Sequence, residues 1–80
     1  MRVHGFITWS YFDATSAEGE ILAPVMKKKV YFRVTRRSVC EQLSRVIYNK
    51  DGIGVEGDFI DTMDAKGNDL KYLAINKVIG

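Results

Sequence analysis

One cysteine, one proline and one histidine in 80 residues leave little room for several common classes of protein. Cys40 has no partner for an internal bridge, so a disulfide-stapled secreted scaffold is excluded and a reducing, cytoplasmic setting is expected. His4 has neither a Cys/His pairing nor a G-x-S-x-G turn beside it and reads as a strand residue, and no phosphate-cradling glycine loop accompanies it. Long apolar runs are missing as well. The opening MRVHGFITWSYF alternates polar with apolar residues, so neither a signal peptide nor a membrane-spanning helix is expected. Asp58, Asp61 and Asp64 recur every three residues, which on a strand alternates faces and cannot converge on one metal. Cys40 reads as a small apolar residue. These absences predict a non-enzymatic protein without metal or cofactor.

What is present is a core. Hydrophobic residues make up 46% of the chain and run through its whole length, which suits one compact domain and excludes disorder. Twelve Lys and Arg against ten Asp and Glu give a net charge of +2, too small to argue for a polyanion partner. The distribution says more. Lys27, Lys28, Lys29, Arg33, Arg36 and Arg37 form a basic strip, while Asp58, Asp61, Asp64 and Asp69 gather in the last third.

Residues 3–12, VHGFITWSYF, have the β-branched and aromatic composition of a strand. DATSAEGE with Ile21 and Leu22, ahead of Pro24, fits a long loop or a short edge strand. From Lys27 to Arg36 the alternation is clean: Val30, Phe32 and Val34 on one face, Lys29, Tyr31, Arg33 and Thr35 on the other. Ser38 with Glu41 has the form of a capping box, opening a short amphipathic helix that runs to Asn49. Residues 53–60 alternate as a strand, residues 64–69 have the chemistry of a hairpin turn, and LKYLAINKVI reads as the last strand. The predicted class is mainly β: five strands with one helix between the third and fourth. That is the order of the oligonucleotide-binding (OB) fold, a small Greek-key barrel.

Within that frame the chain resembles the single-stranded DNA-binding proteins of the OB fold. The run Ile53-Gly54-Val55-Glu56-Gly57-Asp58-Phe59 follows the family's pattern after its helix, with Gly57 expected to let the strand coil as the barrel closes. Gly67 and Tyr72 match its glycine-bearing hairpin and final aromatic strand, and Val3-His4-Gly5-Phe6-Ile7 is similar to its first strand. The bacterial family's acidic tail is not expected, since the chain stops at Gly80 after the last strand, so the resemblance leans toward primosomal, phage or mobile-element relatives.

Single strands are held by aromatic faces that stack bases and by a basic groove that tracks phosphates. Tyr31, flanked by Lys29 and Arg33, offers both on one strand face. Trp9 and Tyr11 share a face whose side stays open, because a bulge near Gly5 would reverse its parity. Tyr72 is a further stacking candidate, with Lys71 pointing the opposite way. Lys27, Lys28, Lys66 and Lys71 are phosphate candidates, Lys66 from the hairpin tip. The expected ligand is single-stranded DNA, or RNA, bound by a homodimer or higher oligomer. The alternative is a protein-interaction module anchored by Trp9, Tyr11 and Phe12.

Overall fold

Five strands and one helix follow one another along residues 1–80, all of which the computed structural model describes: β1 (Arg2–Phe12), β2 (Ala17–Ala23), β3 (Lys28–Val34), α1 (Arg37–Val46), β4 (Ile53–Met63) and β5 (Asp69–Val78). The strands close in the order β1-β2-β3-β5-β4. All neighbours are antiparallel except β3 and β5, whose parallel contact, Phe32 beside Leu73 and Arg33 beside Ala74, shuts the barrel. This is the OB topology that the element order predicts.

Alternation decides what lies inside. Val30, Phe32 and Val34 of β3 are buried together with Ile21 of β2, Ile53 and Val55 of β4, and Leu73 and Ile75 of β5. The helix adds Val39, Cys40 and Leu43, and Leu43 is wholly buried. Burying a side chain of that size stabilises by about 1.5–3 kcal/mol.

Several local expectations are corrected. The second strand is neither a loop nor a short edge. Residues Ala17–Ala23 pair with β1 on one side and β3 on the other, and Pro24 falls in the turn beyond them, where its missing N–H interrupts nothing. The capping box does not form. Arg36 is the N-cap, extended at φ −94 and ψ 128 with no side-chain cap, so Ser38 lies inside the first turn. Glu41 meets Arg37 Nε at 3.3 Å instead. Seating Val39, Cys40 and Leu43 in the barrel starts the helix one residue before Ser38, and core burial outweighs one capping bond. The helix ends at Val46, short of Asn49, while β4 runs on to Met63.

The bulge in β1 sits at Thr8, not Gly5: Ile7 pairs with Ile21 and Trp9 with Glu20, which leaves Thr8 unmatched. One extra residue flips the strand's parity. Val3 and Gly5 are buried and Ile7 packs on the core before the bulge, and Phe12 turns inward after it, which puts Trp9 and Tyr11 outside. Gly57 marks a close approach of β4 to β5. A second bulge lies beside it, on β5 at Asn76, and a Cβ on Gly57 would fall 2.0 Å from the Ala74 carbonyl oxygen. Only a residue without a side chain permits that backbone approach.

Candidate nucleic-acid interface

The register of β1, β2 and β3 sets out two rows on the outer face of the barrel. Trp9 pairs with Glu20 and Glu20 with Tyr31; the pairing of Phe32 with Leu73 then brings Tyr72 level with Tyr31. Reaching across β2, the Trp9 ring stacks on Tyr31 at 6.3 Å between centroids and 26° between planes, and Tyr72 meets Tyr31 edge-on at 6.4 Å. Three strands thus contribute one run of aromatic surface, with Trp9 46% exposed. In the neighbouring row Tyr11 pairs with Glu18 and Glu18 with Arg33.

Arg33 ties the rows together. Its guanidinium carbon lies 4.8 Å from the Tyr72 centroid and 5.4 Å from that of Tyr31, and its Nε donates to Tyr31 Oη at 3.1 Å. Tyr31 Oη in turn donates to Glu18 Oε2. Burial, and then the bond to Glu18, push the Tyr31 hydroxyl above its ordinary pKa. The hydrogen bond to Tyr31 pushes Arg33 upward, outweighing the opposing effect of burial, so the guanidinium keeps its charge.

The lysines divide. Lys29 leans toward Glu20, its Nζ 3.9 Å from an oxygen that also accepts from Thr8 Oγ1 at 2.9 Å. Lys71 leaves Tyr72, as alternation requires, and lies over the Phe59 ring at 5.2 Å, with Lys28 at 5.9 Å from the same ring. Where β3 and β5 diverge, Lys28, Lys29, Lys71, Phe59 and Tyr31 line one cleft, so cations gather at the edge of the aromatic run. Lys27 stands apart in the turn after Pro24, at a left-handed φ of 55, and Lys66 is exposed at the tip of the β4–β5 hairpin. Neither reaches the cleft. Phe12 packs against the core and is lost as an anchor for a protein partner.

Two residues of this surface escape the sequence reading: Glu18 and Glu20. The glutamates gave little signal, because Ala17 and Gly19, two of the inward positions that alternate with them, are small. Lys28 shares the parity of Val30 and Phe32 yet sits at the strand's open end, which brings an inward-facing lysine back to the surface. No family model and no solved structure matches this chain.

Proposed function

We propose that this OB barrel binds single-stranded DNA through its outer face, largely without regard to sequence, in replication or recombination. The observation that carries the reading is the aromatic run Trp9–Tyr31–Tyr72 bordered by the Lys28, Lys29 and Lys71 cleft. Stacked rings hold bases of any kind, each worth about 1–3 kcal/mol, and adjacent cations hold the phosphates between them. Single-stranded RNA offers the same faces and charges and is the competing polymer. One small barrel covers few nucleotides, so a homodimer or higher oligomer extends the tract.

A second reading rests on charge. Glu18 and Glu20 lie in the middle of the face and offset Arg33 and Lys29, which suits a protein partner docking on the exposed rings of Trp9 and Tyr11. One titration separates the two. Oligo-dT of about thirty nucleotides and a duplex of equal length are titrated at roughly 50 and 200 mM salt, following the fluorescence of Trp9 and the anisotropy of labelled DNA. Salt-sensitive binding to the single strand, weak binding to duplex and quenching of Trp9 are expected. Unchanged anisotropy at micromolar protein would overturn the nucleic-acid reading in favour of a protein partner.

A further inference from the structure

The second row ends in a cleft that the stacking run does not use. Tyr11, Asp13, Ser16, Glu18, Arg33 and Thr35 are among the residues lining an open cavity of about 280 Å³ between the β1–β2 turn and the end of β3. Its chemistry is unlike that of the lysine cleft. Two carboxylates stand against one guanidinium, so the cavity repels phosphate. It suits a neutral group that donates on one side and accepts on another.

Hydrogen-bonding capacity there is unspent. Glu18 Oε2 takes the Tyr31 hydroxyl, but Glu18 Oε1 has no partner within the chain. Arg33 uses Nε on Tyr31, and its two terminal nitrogens have no partner. The relay from Arg33 Nε through Tyr31 Oη to Glu18 holds both groups in place, so the free atoms are fixed before any ligand arrives. Asp13 is partly engaged: its Oδ1 accepts the Ala14 N–H at 2.6 Å. Tyr11, 64% exposed, supplies an aromatic face directly across from Glu18.

From this arrangement we propose that the Tyr11–Glu18–Arg33 cleft is a base-reading site selective for guanine within a single strand. The inference rests on the nucleic-acid reading above and adds a preference to it. Guanine presents N1–H and its exocyclic amino group side by side, two donors that one carboxylate accepts together, and its O6 and N7 accept from a guanidinium. Thymine has a single donor between two carbonyl oxygens, and those oxygens would face the carboxylate. Adenine brings one amino group between two ring acceptors, and cytosine one amino group beside a single ring acceptor, so neither offers a carboxylate two adjacent donors. Stacking on Tyr11 is indifferent to the base, so selectivity falls to Glu18 and Arg33. A free nucleotide is held weakly, because it lacks the neighbouring bases and phosphates that the stacking run and the lysine cleft hold in a strand.

The test compares twelve-nucleotide oligo-dT with the same strand carrying one central dG, dC or dA, by competition anisotropy. The dG strand is expected to bind about tenfold more tightly than oligo-dT. In Glu18→Gln, which keeps the size of the side chain but replaces one acceptor by a donor, the ratio is expected to fall to about one. Tyr31→Phe, which removes the hydroxyl that orients Glu18, is expected to reduce the ratio while leaving a stacking ring. Millimolar dGMP is expected not to displace the dG strand. Equal binding of all four strands overturns the guanine site and leaves the nucleic-acid reading standing, as does a dG preference that survives in Glu18→Gln. Displacement by dGMP overturns the single-strand form of the proposal. Binding to none of the strands overturns both readings.

Discussion

Tyr31 has four partners on the outer face: it stacks with Trp9, meets Tyr72, receives Arg33 and donates to Glu18. Its ring and its hydroxyl do separable work. The ring completes the aromatic run, whereas the hydroxyl links a cation to a carboxylate and leaves both ordered. Tyr31→Ala is expected to weaken binding of oligo-dT by about 1–3 kcal/mol, the worth of one stacked base. Tyr31→Phe keeps the ring and is expected to retain most of that affinity. Anisotropy titrations of the two variants decide the point, and an equal loss in both would show that the hydroxyl network, not the ring, carries the binding. Trp9 illustrates how a single residue's role depends on a neighbour. Without the extra Thr8, period-2 geometry would have turned the indole inward with Ile7.

The elements themselves were largely legible because alternation is a strong signal: β3, β4 and β5 lie where their period-2 patterns place them, and the helix falls between the third and fourth strands. What could not be read was governed by tertiary context. β2 hides its pattern behind small residues, since Ala17 and Gly19 are inward positions with little hydrophobic signature, and its glutamates therefore looked like loop. The helix start followed core packing over the capping motif. By contrast the β4–β5 turn is dictated locally. Asp64 Oδ1 accepts the backbone N–H groups of Lys66 and Asn68, each at 2.9 Å, and Gly67 takes the left-handed φ of 83 that the turn demands. Those N–H groups, Asn68 first, hold the Asp64 carboxyl below the usual carboxylate range. A lowered native pKa means the turn's added order is present above the unfolded value near 3.9 and is lost as pH falls through the native one. In an NMR titration into acid, the Lys66 and Asn68 amides are expected to shift with a midpoint below 3.9, while core amides such as that of Leu43 stay put. A midpoint at the ordinary value would mean that Asp64 does not organise the turn.

Across the whole molecule, closing the barrel is what converts scattered residues into a surface. Tyr31 and Tyr72 are far apart in sequence and meet only because β3 and β5 run parallel, a contact that no local pattern announces. The same divergence of β3 from β5 opens the cleft that collects Lys28, Lys29 and Lys71, so the fold concentrates cations on a chain whose net charge is only +2. Each lysine that neutralises a phosphate of a single strand adds about −0.7 to the slope of log affinity against log salt. Lys71→Ala is therefore expected to flatten that slope by about 0.7. Lys77, which pairs with Glu56 at the far end of β5, is the matched control, and Lys77→Ala is expected to leave the slope unchanged. If the two substitutions flatten the slope equally, the salt dependence reflects the molecule's overall charge, and the cleft beside Tyr31 has no special hold on the phosphate backbone.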